Sequence, residues 1–192
     1  MTFPQLSTLA LIPGLMASPY LTDGCDDPGD PIPIPTPADG QDDLYMEGDD
    51  FECIQDGTKV RNMYIRNDLG YLDEALAVAN SPTGGTYPVG TIIQLIPEEA
   101  MVKRFEGFSP ETHDWEYFYM TVSETGAEVI SRGSDPYVGP TGVTNVAANC
   151  HDCHVKAEPQ WDMICEDDNG CDPLPFPDAA IEALQAGDPR CD

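Results

Sequence analysis

Apolar and polar positions follow one another in two rhythms along residues 44–192. A three-and-four rhythm comes first. Val60, Met63 and Tyr64, then Leu72, Ala75, Leu76 and Ala79, predict an amphipathic helix over 59–80, broken near Gly70. Glu52, Cys53 and Ile54 ahead of it read as a short strand. The β-branched run 91–96, TIIQLI, predicts a strand entered through Pro88-Val89-Gly90 after a turn at 81–85. Pro97, Glu98 and Glu99 predict the first turn of a short helix through Met101 and Lys103, with proline at its start and acids at its positive end. Residues 113–122, HDWEYFYMTV, form an aromatic strand: Trp115, Tyr117 and Tyr119 share one face, and Glu116, Phe118 and Met120 the other. A further strand over 126–132, with turns at 124–126 and 133–136, makes this an antiparallel meander. Residues 177–186 predict a short helix opened by Pro177, stopped by Gly187, and turning Ile181 and Leu184 inward. The fold class is therefore α+β, mainly antiparallel sheet with a few short helices.

The first 43 residues have neither rhythm. Within 1–24, Leu9-Ala10-Leu11-Ile12 and Leu15-Met16-Ala17 match the core of a signal peptide in length and fall far short of a membrane span. The segment is a degraded signal: no Lys or Arg precedes Lys59, and Pro13-Gly14 interrupts the run. Leu21-Thr22-Asp23-Gly24-Cys25 is a degraded lipoprotein box, so Cys25 is either a lipid-bearing residue or a plain cysteine. Residues 25–43 are acidic and proline-rich, an extended tether that cannot build a core. The folded domain is expected over 44–192.

Charge narrows the partners. Thirty-five acidic against 8 basic residues give a formal net charge of −27, which excludes nucleic acid and disfavours anionic lipid. Such a surface attracts cationic partners, or serves solubility alone. A hydrophobic fraction of 41% in 192 residues supplies one ordinary core. Seven cysteines indicate an oxidising compartment, periplasmic or extracellular.

The chemistry is concentrated at residues 149–154, NCHDCH, where Cys150, Cys153 and His154 stand as C-x-x-C-H. Two thiols on one turn can add to the two vinyl groups of a single porphyrin, and the adjacent imidazole then becomes the proximal axial ligand of the iron. One covalent haem c is the implied cofactor. Two other readings use the same thiols: a zinc site completed by Cys165 and Cys171, or a redox dithiol. With Cys150 and Cys153 set aside and Cys25 beyond the folded region, four cysteines allow three pairings. Cys165 with Cys171, closing an acidic loop, and Cys53 with Cys191, tying the domain's ends, are favoured. The motif lies late in the chain, and Met163 follows His154 too closely to reach the far side of the iron. The distal face is thus left to the strand region, with Met101, His113 or Met120 as ligand and Trp115 or Phe118 in the pocket, or it is open. Residues 165–176 fail as a calcium loop because Cys165 and Phe176 occupy its first and last ligand positions. His151 reads as a spacer, and Glu98 and Glu99 as helix-start charges.

TYPVGTII at 86–93, DWEYFY at 114–119 and a C-x-x-C-H after the strands together resemble the cytochrome P-460 family, related to the β-sheet cytochromes c-prime. The resemblance covers about residues 50–166. It implies one c-type haem with a proximal histidine on an antiparallel sheet, frequent homodimers, and action on or binding of hydroxylamine or nitric oxide. The family's oxidising members also bond a lysine to the porphyrin; this chain offers Gln94 and Leu95 at that place, and Lys103 reads as a solvated surface residue. Three functions follow: an exported mono-haem electron carrier with a basic redox partner, a haem enzyme or gas binder for small nitrogen compounds, and a zinc- or disulfide-held binding module without haem.

Overall fold

The computed structural model describes residues 34–138, 148–166, 169–174 and 177–191. The signal-like segment, Cys25 and the approach to the C-x-x-C-H at 139–147 lie outside the described residues. Six strands, β1 (Thr58–Val60), β2 (Met63–Asn67), β3 (Thr91–Gln94), β4 (Glu99–Lys103), β5 (Trp115–Ser123) and β6 (Gly126–Gly133), form one antiparallel sheet in sequence order. Helix α1 (Leu72–Ala79) fills the connection from β2 to β3. A two-stranded ladder, β7 (Tyr137–Val138) with β8 (Ala148–Asn149), delivers the chain into α2 (Cys150–His154), and α3 (Asp178–Ala186) comes last.

The alternation within β5 divides the core in two. Trp115 and Tyr117 join Ile65, Ile93 and Met101 on one face, covered by α1, Met163 and Ile164, with Cys150 packed against them. Phe118 and Met120 join Ile92, Ala100 and Val102 on the other, under Met46 and Phe51. A bulge between Tyr119 and Met120 shifts the β5–β6 register.

Three local expectations are corrected. Residues 59–80 are a hairpin followed by a helix, because Met63 and Ile65 bury on one face by the two-residue period and pair through β2 with β3. Arg61, in the left-handed region at φ 52°, makes the tight turn. Pro97 opens a turn rather than a helix: the Glu99 N–H bonds to the Ile96 carbonyl at 3.3 Å, and 99–103 pair with β5 as a strand. Residues 54–56 form a 3₁₀ turn where a strand was expected at 52–54. The strands at 91–94, 115–123 and 126–133 and the helix Asp178–Ala186, entered through Pro177 and ended at Gly187, agree with the pattern.

The compact unit begins earlier than residue 44, at Ile34. Asp43 pairs with Arg104, buried on the second face beside Glu116, and the Gln41 side chain donates to the Glu106 carbonyl at 2.9 Å. The end of the acidic segment is thus pinned to the sheet by charge rather than by apolar burial. Cys53 is disulfide-bonded to Cys191 and Cys165 to Cys171, the favoured pairings.

Candidate functional site

Helix α2 is started by Asp135, whose carboxylate accepts the Asn149 side-chain amide at 2.8 Å and the His151 backbone N–H at 3.2 Å. Residues 150 and 153 stand one turn apart, so both thiols lie on the same side of the helix. Cys150 is half-buried against the apolar face and Cys153 is exposed; both are free thiols. Burial, with the charges of Glu99 and Asp135 adding to it, pushes the Cys150 thiol up to about 12. A thiol held protonated is a poor thiolate nucleophile, so Cys150 is not suited to be the attacking sulfur of a dithiol. His151 is turned away from the two thiols' apolar face, its Nε2 3.3 Å from the Glu111 carbonyl.

His154 is held differently. Its Nδ1 lies 2.7 Å from the Met163 carbonyl oxygen. A carbonyl can only accept, so Nδ1 carries the proton and Nε2 keeps its lone pair. Burial lowers the imidazole's pKa, against the opposing pull of the Met163 hydrogen bond, and keeps the ring neutral. The Tyr117 ring lies against it, centroids 5.0 Å apart at 37°. Neutral imidazole with one nitrogen tied to a carbonyl and the other free is the form that ligates a metal.

The Met163 carbonyl is aimed by an unusual turn. After a 3₁₀ turn at Pro159–Trp161, Asp162 and Met163 both take left-handed conformations, φ 50° and 65°. The Asp162 carboxylate accepts the Lys103 ammonium at 2.8 and 2.9 Å and the Tyr87 backbone N–H at 2.8 Å, and stands 3.3 Å from His113 Nδ1. The Asp162 carbonyl accepts the Trp115 indole N–H at 2.7 Å. The Lys103 ammonium also bonds to the His113 carbonyl and sits 5.0 Å from the centre of the Trp115 ring. Lys103 is therefore not a solvated surface residue: only 4% of it is exposed.

These placements sort the sequence candidates. Cys150, Cys153 and His154 come together as the motif requires. Met101 lies on the same face of the sheet, directly opposite Tyr117 in the ladder. Met120 and Phe118 do not: both point into the second core, so strand alternation removes them as distal ligand and pocket wall for a group held at α2. His113 sits at the Asp162 turn, its Nδ1 3.3 Å from the Asp162 carboxylate, which makes it a neighbour of the loop that holds His154. Trp115 is on the correct face, but its indole braces the Asp162 turn instead of lining a distal pocket. The zinc reading loses two of its four donors, since Cys165 and Cys171 are bonded to each other. Cys53, Asp188 and Cys191 also cluster, but the two sulfurs are joined and Asp188 is held by Arg190 and the Ile54 N–H, so no metal donor is left.

Tyr117, Lys103 and Asp162 were not singled out as site residues. The first two would have been found had 99–103 been read as a strand, since Met101 and Lys103 then stand opposite Tyr117 and Trp115. Nothing in the sequence marks Asp162. The donor set fits a c-type haem: two thiols one turn apart, a neutral imidazole with Nε2 free, and a buried Tyr117 hydroxyl with no partner among the described residues. An open acidic groove of about 540 Å³ between Tyr45, Asp49, Asp56, Arg66 and Leu72 contains none of these residues. No protein-family model matches the chain, and no curated protein and no solved structure matches it.

Proposed function

We propose that this protein is an exported mono-haem c-type cytochrome of the cytochrome P-460 kind, whose haem is bonded to Cys150 and Cys153 and ligated by His154, and which transfers electrons. One observation supports this above the others: the His154 proton is fixed on Nδ1 by the Met163 carbonyl, beside two thiols spaced for one porphyrin. When bound, the haem iron supplies the one-electron couple. The chain holds the axial imidazole in a single tautomer and makes it more electron-donating through the Met163 hydrogen bond. Cys153 stands at the surface, where a partner can approach the attached edge. The net charge of −27 selects a basic redox partner. Export to the periplasm or beyond, a lipid on Cys25 and a homodimer belong to the same proposal.

A second reading is a haem enzyme or gas binder acting on hydroxylamine or nitric oxide. Its support is specific. Of the two methionines, Met101 shares the site's face and Met120 does not, and the same region holds one carboxyl able to exchange a proton near neutrality and one buried phenol able to donate a hydrogen bond. Glu99 has a carboxyl that burial, and then Glu98, push up to about 7, and the Tyr117 hydroxyl is buried without a partner. The binding module without haem keeps only its disulfides.

Protein purified from a haem-attaching host tests all three. The expected result is a reduced c-type spectrum with the haem mass on the peptide containing 150–154, lost in Cys150→Ser/Cys153→Ser. A low-spin reduced form indifferent to carbon monoxide and nitric oxide selects electron transfer, and a high-spin form that binds them selects the second reading. Colourless native protein overturns both.

A further inference from the structure

We propose that the buried Lys103–Asp162 ion pair positions the proximal ligand, holding the 159–164 loop so that the Met163 carbonyl stays on His154 Nδ1. The inference rests on the reading of His154 as the haem ligand. A buried ion pair is rarely explained by stability alone, because desolvating both charges consumes most of their attraction. Here both groups are buried, with side chains 5% and 4% exposed, and the pair joins β4 to a loop with no strand pairing of its own. Asp162 is also the first of two consecutive non-glycine residues at positive φ, a conformation that persists only where its surroundings enforce it. Four contacts enforce it: the Lys103 ammonium and the Tyr87 N–H on the carboxylate, the Trp115 N–H on the carbonyl, and the Gly85 N–H on the Gln160 carbonyl at 2.9 Å. With Asp162 fixed, the next carbonyl in the chain points at His154. Lys103 and Asp162 are positioning residues that act on the iron through the imidazole's hydrogen bond.

The test compares wild-type haem protein with Asp162→Asn and with the double variant Lys103→Met/Asp162→Asn. The single variant leaves a buried ammonium unpaired and is expected to fold poorly. The double variant removes both charges, keeps a residue type that tolerates positive φ, and is expected to fold with its haem attached. Its readouts are the iron–histidine stretch of the ferrous protein, the reduction potential, and amide exchange over 159–164. The stretch is expected at lower frequency, the potential at a higher value, and exchange faster, because an imidazole that loses its Nδ1 hydrogen bond donates less to iron. A double variant with all three unchanged overturns the proposal. So does a haem-bearing peptide that contains Lys103, since a lysine bonded to porphyrin cannot be the partner of Asp162. A wild-type protein without haem would instead defeat the haem reading itself, while exchange over 159–164 still reports on the clamp.

Discussion

At the scale of single residues, the sharpest contrast is between two ionisable groups on one face of the sheet. His154 is held neutral by burial, and Glu99 is held protonated by burial and by Glu98. Their effects on stability have opposite signs. In the haem-free chain the histidine's depressed pKa gives stability that is present above about pH 6.5, its unfolded value, and is lost as pH falls below it; iron on Nε2 would remove that titration. Glu99 behaves the other way: the unfolded carboxyl releases its proton near pH 4.3, while the folded one keeps it until about 7. Its share of stability is therefore present in acid and disappears as pH rises from about 4.3 to 7. The loss is about 2 kcal/mol, since water reaches part of the side chain and screens it. Glu99→Gln cannot ionise. Urea midpoints at pH 4.5 and 7.5 are expected to converge in this variant relative to wild type, and equal slopes in the two proteins would refute the assignment. The charge pattern alone placed Glu99 at a helix start, and no pattern along a chain reports that a carboxyl has been carried under a sheet.

At the scale of elements, three strands were legible for different reasons: β3 lies in the β-branched run, β5 in the aromatic alternation and β6 between its turns, and Pro177 and Gly187 bound α3 as their backbone preferences require. The failures share one cause. Residues 59–67 and 97–103 offer apolar residues at spacings that satisfy helix and strand alike, and their pairing with β3 and β5, which local sequence does not encode, decided for strand. The C-x-x-C-H on which the haem proposal stands was visible in the sequence because its residues are adjacent letters. Asp162 was not, because its meaning depends on Lys103 fifty-nine residues away. Gly84 has a similar dependence. It sits at φ +72°, and a Cβ there would stand 2.1 Å from the Gln160 carbonyl oxygen of the proximal loop. Gly84→Ala must therefore displace backbone on one side or the other. The expected effect is a loss of about 3 kcal/mol in thermal unfolding. If the loop is what yields, the iron–histidine stretch shifts in the same direction as in the ion-pair variant. A folded Gly84→Ala protein of unchanged stability would show that the turn at 83–85 and the loop are not in register as described.

At the scale of the whole molecule, two disulfides, one long-range and one local, constrain a chain that repels itself. The Cys53–Cys191 bridge closes 138 residues and Cys165–Cys171 only 6. On loop entropy alone the first contributes about 5 kcal/mol and the second about 2 kcal/mol. Cys53→Ser/Cys191→Ser is accordingly expected to lower Tm by more than twice as much as Cys165→Ser/Cys171→Ser, and the reverse order would mean that the short bridge holds the proximal loop by strain rather than entropy. Opposing both is the net charge of −27: 35 acidic residues face only 8 basic ones, of which Lys103, Arg104, Arg132 and Arg190 are already paired with carboxylates. The remaining negative field extends outward about 30 Å at 10 mM salt and about 8 Å at 150 mM. A field of this sign accelerates encounter with cations and retards anions, so the salt dependence of electron transfer reports its role directly. Reduction of the haem protein by a small cationic complex is expected to slow about tenfold between those salt concentrations, and reduction by an anionic complex to quicken. Equal salt dependence for the two reductants would mean that the haem edge lies away from the acidic surface, and that the charge serves solubility instead of steering a basic partner.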